Sequence, residues 1–371
     1  MPKYLVIVES PAKTGKIKSF LGRDFEAAAS VGHIRDLPPK KLGVDIRKGF
    51  IPTYEVYPDK KQVVQDIVKK AKKVDLVYIM TDQDREGEQI ASSIVSILPK
   101  GVKYKRAVSS SITKNAILNA IKNAGQIDAD MVNSYECRRI LDRLVGFKVS
   151  FITKQATGGI SAGRVQSACL RIIAEREKEI QKFVPQEFWP ISAELLTDKF
   201  EKIDVDIKRP KPLDIKSGEE AKKICDTLKS DPVAVSKFEK KNVFVSPFPP
   251  FITSTLLQAG SSVLGWKPDK TMKIAQQLYE AGDITYHRSD SVYVVPDFVT
   301  DIRGYVFNSF DKSYLPNTSR LYKASAKAQA AHEAIRITNV NKSSVGDMDK
   351  NKLYQLVWKL SLIHISEPTR P

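Results

Sequence analysis

Apolar positions follow two rhythms along the N-terminal part of the chain. Tyr4 to Val8 is an unbroken apolar run that stops at Glu9-Ser10-Pro11, the pattern of a buried strand entering a loop. Val64, Ile67, Val68 and Ala71 recur at helical spacing among Lys69, Lys70, Lys72 and Lys73. Leu76 to Met80 predicts a second buried strand. In the segment after it, Glu86 to Leu98, the residues Ile90, Ile94 and Leu98 share one helical face. Strands alternating with helices predict a parallel sheet, with ligands gathering at the carboxyl ends of its strands. This first α/β domain is expected over residues 1–125.

Residues 126–185 turn helical. One predicted helix carries Arg138, Arg139, Asp142 and Arg143. Another starts near Ser161, carries Val165, Cys169, Ile172, Ile173 and Ile180, and is closed by Pro185. Trp189, Ile191, Ala193 and Leu195 then alternate, Asp198 and Lys199 suggest a turn, and Ile203, Val205 and Ile207 alternate again. That pattern predicts a β-hairpin. With a helix near Glu219 to Leu228 and a strand near Val233 to Val245, it makes a β-rich segment over 186–247. The proline-rich Ser246-Pro247-Phe248-Pro249-Pro250 marks a rigid boundary. A helical domain is expected over 248–340, with helices from Thr255 to Leu264 and from Pro268 to Ala281. In the second, Met272, Ala275, Leu278 and Tyr279 face inward, and Gly282 caps its end. Ile284-Thr285-Tyr286 is then extended. Residues 341–360 begin a return toward the β-rich part. Ser361 to Pro371 match nothing before them and resemble translated sequencing-adapter read-through. That tail, with His364, is set aside as non-native.

Composition narrows the class. A chain of 371 residues accommodates two or three domains, and 42% hydrophobic with 28% charged residues is ordinary for a globular protein. No apolar run approaches the roughly 18–20 residues of a membrane span. The chain enters a strand-like run directly instead of a secretory signal, so a cytoplasmic setting is expected. Lys and Arg outnumber Asp and Glu by 60 to 43, a net +17. Such an excess fits either a simply soluble basic protein or one that neutralises a polyanion with salt-dependent affinity. Charge suggests nucleic acid and identifies no chemistry. Cys137, Cys169 and Cys225 are scattered, which argues against a zinc site or disulfide framework and fits a reducing compartment.

The strongest chemical signal is Thr81-Asp82-Gln83-Asp84-Arg85-Glu86-Gly87-Glu88, directly after the second apolar strand. In an extended segment, Asp82, Asp84 and Glu86 would lie on one side and repel unless a cation bridged them. Mg2+ takes oxygen ligands, and Glu9, at the end of the other strand, supplies a distant one. The same acids also suit a solvated turn opening a helix, where the macrodipole favours them. The placement of Glu9 tips the balance toward a metal site.

These residues carry a family resemblance. An apolar strand ending in Glu9, with a later strand ending in Asp82-x-Asp84, resembles the Toprim domain of topoisomerases, certain primases and nucleases. Val8-Glu9-Ser10-Pro11-Ala12-Lys13 together with Asp82-x-Asp84-Arg85-Glu86-Gly87-Glu88 narrows the resemblance to type IA DNA topoisomerases, with Gln83 standing where proline is usual. Arg138-Arg139-x-x-Asp142-Arg143 resembles the family's first DNA-contacting helix. Ser161-Ala162-Gly163-Arg164-Val165-Gln166-Ser167 resembles its DNA-binding strip, in the form typical of the bacterial topoisomerase I branch. A capped helix start there, with Ser161 as cap and Gly163 allowing close approach, would let Arg164 and Gln166 reach phosphate; standing alone, the block would read as an ordinary helix start. Periodicity does not distinguish Tyr286 among the 13 tyrosines. The resemblance does, through Gly282-Asp283-Ile284-Thr285-Tyr286-His287-Arg288-Ser289-Asp290-Ser291, in which His287 and Ser289 replace the more usual methionine and threonine. Ala328-Gln329-x-Ala331-His332-Glu333-Ala334-Ile335-Arg336 resembles a later motif whose histidine lies near the active site, with Ile337 where proline is usual; a single such histidine is more often structural than catalytic.

The resemblance implies a multidomain toroid: a Rossmann-like Toprim domain, a helical base, a β-rich arch and a helical domain bearing the tyrosine. It implies that Tyr286 forms a 5′-phosphotyrosine on a single-stranded segment of negatively supercoiled DNA. Arg288, Lys13 and Glu9 would assist, and Mg2+ would sit on Glu9, Asp82, Asp84 and Glu86. It also implies DNA contacts through His33, Arg85, Arg138, Arg139, Asp142, the strip Ser161 to Gln166, Arg288 and His332, in a monomer. A phosphodiester link keeps the bond energy, and no Walker-type loop is present, so relaxation is expected without ATP. Base and arch are each built from two chain segments in this family, so this chain is expected to be truncated and to relax DNA weakly or not at all; efficient relaxation by residues 1–360 would refute that. The rivals are a Toprim nuclease or primase, which has no need of Tyr286, and a non-catalytic DNA-binding protein, which needs neither Asp82 nor Tyr286. Within the family, topoisomerase III and the topoisomerase domain of reverse gyrase are alternatives.

Overall fold

The structure is a computed structural model and describes residues 2–206, 215–231, 233–241, 247–310, 314–316, 318, 322 and 332–363. The chain divides into two compact units. One comprises residues 1–161 and 244–371, the other residues 162–243.

The first unit is organised on a parallel sheet. Strand β1 (Tyr4–Val8) leads into helix α1 (Pro11–Leu21), which returns the chain to β2 (Phe25–Ala29). Two short antiparallel ladders follow, β3 (Arg35–Asp36) with β6 (Glu55–Val56), and β4 (Val44–Asp45) with β5 (Ile51–Pro52). Then come α2 (Lys61–Ala71), β7 (Leu76–Met80), α3 (Arg85–Ile97), β8 (Tyr104–Arg106) and α4 (Lys114–Lys122). The sheet order is β2-β1-β7-β8, with every pairing parallel. Because side chains alternate across a strand, β1 feeds two cores at once. Leu5 and Ile7 join Ile67, Ile79, Ile90 and Ile94 on one face. Val6 and Val8 join a larger core with Leu256, Leu278, Tyr286 and Leu353 on the other. That second face is where the C-terminal helices pack: α9 (Thr253–Leu264), α10 (Pro268–Glu280), α11 (Pro296–Ser309) and α12 (Met348–Ile363).

Two more helices belong to this unit, α5 (Ala129–Leu144) and α6 (Ser150–Thr157), joined by a π-helical turn over Val145–Val149. α5 is fixed to the sheet domain by polar contacts. Asp128 N–H donates to Glu88 Oε1 at 2.8 Å, Arg139 pairs with Asp36, and Arg143 donates to the carbonyls of Pro38 and Leu37 at 3.0 and 3.2 Å. The expected helical stretch 126–185 is thus divided between the units.

In the second unit, α7 (Arg164–Lys182) begins later than expected. Gly163 occupies its N-cap, no side chain caps it, and Ser161 lies outside the helix. The predicted hairpin is present as β9 (Ser192–Leu196) antiparallel to β10 (Lys202–Asp206), with Ile207 outside the described residues. Helix α8 (Gly218–Ser230) follows, capped by Ser217 Oγ on Glu220 N–H at 3.3 Å. The strand expected from Val233 to Val245 is not formed over 233–241; its last residues, and Ser246, lie outside the described ones. A strand needs a partner, and Val233, Val235 and Phe238 are exposed with no ladder among the described residues.

At the C-terminal end, α12 runs through the expected boundary at 361. Leu362 is buried, and Ser361 Oγ accepts from Ile337 N–H at 3.4 Å. Isoleucine at 337 supplies an N–H that proline would lack. His364 and the rest of the tail lie outside the described residues, as do Ala328, Gln329 and Ala331. No helix among the described residues is long and apolar enough to cross a membrane.

Candidate active site

The site forms where β1 and β7 end. Glu9 leaves β1, and Ser10 Oγ accepts from Ala12 N–H at 3.3 Å to start α1, with Pro11 in its first turn. Lys13, one turn in, is thereby turned back under the sheet end and buried.

After β7 the acidic run does not stay extended. Asp84 caps α3, its Oδ1 accepting from Gly87 N–H at 2.7 Å, so Glu86 already sits in the first helical turn. The three carboxylates are therefore presented by a strand end, a cap and a helix. Gly87 has a steric reason: a Cβ there would lie 2.2 Å from the Asp82 carbonyl oxygen. Thr81 Oγ1 donates to Gly87 O at 2.6 Å and closes the loop. Beneath it, Arg106 is buried and donates to Glu88 at 2.8 Å and to the carbonyls of Thr81 and Asp82 at 3.0 and 2.9 Å. Glu88, inside the quoted motif, and Arg106, outside every quoted motif, are supporting residues that residue type alone did not single out.

The tyrosine arrives from the end of α10. Gly282, with φ of 70°, ends the helix in the left-handed region, and its missing side chain leaves room for the Ile112 carbonyl 2.5 Å from where a Cβ would sit. Ile284 bridges to Ile337, and Tyr286 N–H donates to Ser110 O at 2.8 Å. The phenol Oη then donates to Asp84 Oδ2 at 2.5 Å, and only 4% of Tyr286 is exposed. Burial, reinforced by Asp84 and Asp82, raises its pKa far above the ordinary tyrosine value, so the resting phenol keeps its proton. Arg288 pairs with Glu86 at 2.8 Å and stands 3.6 Å from Asp84.

The remaining predicted residues divide. His33 lies 3.5 Å from Glu86 and stacks on Tyr135 with ring centroids 5.6 Å apart. The His33 hydrogen bond, acting against burial and aided by Arg288, lowers Glu86 to about 2. His332 Nε2 donates to the Gln83 carbonyl at 2.6 Å, so the departure from proline at 83 does not disturb this contact. Arg85 and Arg138, with Arg288 and His332, line a cavity of about 560 Å³ beside Asp84. Arg139 is engaged by Asp36, and Asp142 is half-buried on the same helix. Ala162 to Gln166 belong to the second unit, where Arg164, Val165 and Gln166 are exposed. Sequence reasoning gave Tyr279 only a core role. Its Oη donates to Asp82 Oδ1 at 3.3 Å, and its ring lies edge-on to Tyr286 with centroids 5.1 Å apart.

The donor chemistry fits Mg2+. Glu9 is raised to about 7 by burial first and then by Asp82, with Asp84 and Glu86 adding and only Lys13 opposing. Such an excess of hard oxygen donors suits a divalent cation. In the geometry observed, no three acidic, histidine or cysteine side chains among the described residues converge as a ready ligand set. The reason is that each carboxylate faces a partner of its own: Asp82 has Lys13 and Tyr279, Asp84 has Gly87 and Tyr286, and Glu86 has His33 and Arg288.

Comparison with known proteins gives the family of the chain. Residues 4–112 match the Toprim domain and residues 126–370 match the DNA topoisomerase family. The chain is 41% identical to DNA topoisomerase 1 of Escherichia coli (strain K12), covering 97% of this chain and 46% of that protein. It is 42% identical to DNA topoisomerase 1 of Campylobacter jejuni, covering 96% and 54%. The structure of full-length topoisomerase I from Thermotoga maritima superposes with a TM-score of 0.84 at 36% identity, over 98% of this chain and 61% of that one. The chain spans about half the length of the curated relatives it matches.

Proposed function

Because this chain belongs to the DNA topoisomerase family, we propose that Tyr286 is the nucleophile that cuts one strand of negatively supercoiled DNA. Its fold is that family's multidomain combination of a Toprim α/β domain with helical and β-rich parts. The reading is that of an ATP-independent type IA topoisomerase: cleavage, passage of a strand, and resealing. The observation that carries it is the Tyr286 phenol resting on Asp84 with Arg288 beside both.

In the cleavage step the bond from Tyr286 Oη to phosphorus forms and the bond from phosphorus to the 3′ oxygen breaks. The phenol proton leaves toward Asp84 Oδ2, its hydrogen-bond acceptor. The departing 3′ oxygen takes a proton from Glu9, whose pKa near 7 keeps it substantially protonated at neutral pH. Arg288 and Lys13 offset the charge that builds on the phosphate. Resealing runs the same bonds in reverse, the energy having been kept in the phosphotyrosine. Mg2+, held by Asp82, Asp84, Glu86 and Glu9, would supply fixed positive charge that aligns the strand for resealing. His33, Arg85, Arg138 and His332, with Arg139, Asp142 and the strip Ser161 to Gln166, would hold the single strand by its phosphates and by stacking. The proposed domain division follows the sequence: Toprim over 1–125, base over 126–185, arch over 186–247 and tyrosine domain over 248–340. The proposed state is a monomer, since one chain contributes both nucleophile and acids, and DNA as substrate makes the proposed setting cytoplasmic.

The test uses a single-stranded oligonucleotide labelled at its 3′ end. The chain should acquire covalent label, and Tyr286→Phe should acquire none. Cleavage that persists in Tyr286→Phe without protein-bound product would favour a hydrolytic Toprim nuclease.

A further inference from the structure

Asp82 carries two donors on one oxygen. Its Oδ1 accepts from Lys13 Nζ, supplied by α1, and from Tyr279 Oη at 3.3 Å, supplied by α10. All three side chains are buried, with exposures of 3% for Lys13, 7% for Asp82 and 3% for Tyr279. The ammonium also stands over the Tyr279 ring, 4.6 Å from its centroid, where the ring face attracts a cation. The space left between these groups is about 10 Å³, no more than a single water requires. Lys13 is therefore doubly held, by a carboxylate and an aromatic face, and it fills the position next to Asp82 that an incoming cation would need.

We propose that Lys13 is a built-in counter-ion that competes with the divalent cation for Asp82, and that Tyr279 is the positioning residue that holds it there. The inference rests on reading Asp82 as a metal ligand. An ammonium and a divalent ion at one buried oxygen repel strongly, so the acidic set binds metal more weakly than its carboxylates alone would. Once Asp82 turns to the metal, Lys13 loses its carboxylate partner and becomes available to a phosphate. Metal entry and the readiness of Lys13 are then two sides of one exchange. Resealing, which passes through the same charged phosphate and is where the metal acts, would draw on both sides of that exchange.

Mn2+ binding to the whole chain without DNA tests this, with free Mn2+ followed by its electron paramagnetic resonance signal. Lys13→Met should tighten binding about tenfold or more. Tyr279→Phe, which keeps the ring face under Lys13 and removes the second donor on Asp82 Oδ1, should tighten it by roughly threefold. General structural damage would weaken binding, so tightening separates positioning from mere support. Asp82→Asn should abolish binding at this site. If Asp82→Asn abolishes it while Lys13→Met and Tyr279→Phe bind as the unaltered chain does, the competition is overturned and the metal reading stands. If Asp82→Asn binds Mn2+ normally, the metal reading itself fails. Should Lys13→Met not fold, Lys13→Gln, which removes the charge and keeps a polar chain in the same place, decides: tighter binding supports the proposal and unchanged binding overturns it.

Discussion

His287, adjacent to Tyr286, is 1% exposed, and burial first, then the charges of Arg288 and Lys13, lower it to about 3. A base depressed in the fold holds fewer protons folded than unfolded between about pH 3 and its unfolded value of 6.5. The stability it permits is complete above pH 6.5 and is lost as pH falls through that window. His287→Met, the residue more usual there in the family, should flatten the acid limb by up to about 1.4 kcal/mol per pH unit. Urea unfolding of both proteins at pH 7, 6 and 5 measures it, and parallel curves would contradict the assignment. The residue scale is also where sequence reading reached least evenly. Glu9 and Asp82 stood out because carboxylates beside the ends of buried strands are costly without a purpose, and Asp84 stood out by its spacing from Asp82. Tyr286 was legible only through its motif. Tyr279 was not, since a tyrosine on an inward helical face looks like core until its hydroxyl is seen on Asp82.

Among the elements, the loop between β7 and α3 depends on a residue one strand away. Arg106, at the end of β8, neutralises Glu88 and holds the carbonyls behind Asp82. Arg106→Met should leave Glu88 buried without its cation and cost about 3–5 kcal/mol, read by guanidinium unfolding. It should also lower covalent label transfer in the surviving folded protein. Strands β1 and β7 and helices α2 and α3 were legible because their apolar periods agree with burial on two faces of the sheet. The start of α7 was not, because Ser161 looks like a cap while Gly163 takes that position. The strand expected near Val233 failed for a different reason. Alternation states which side chains could share a face, but ladder partners come from elsewhere in the chain, and none pairs with 233–241 among the described residues.

At the scale of the molecule, the two units differ in how much they bury. The first has both continuous cores, whereas α7 in the second leaves Leu170, Ile172, Ile173 and Ile180 exposed, Ile172 by 68%. A stripe of that kind attracts apolar partners. The chain should bind a hydrophobic dye while keeping a cooperative melt, and the double substitution Ile172→Gln with Ile173→Gln should reduce dye fluorescence without shifting that melt. An unchanged dye signal would place the apolar surface elsewhere.

The central claim is that one particular phenol takes the DNA. After reaction with a single-stranded oligonucleotide, nuclease trimming and proteolysis, mass spectrometry should find the peptide containing Tyr286 carrying a nucleotide through its 5′ phosphate. A chain that cleaves the strand but carries the nucleotide on another residue, or on none, would contradict it.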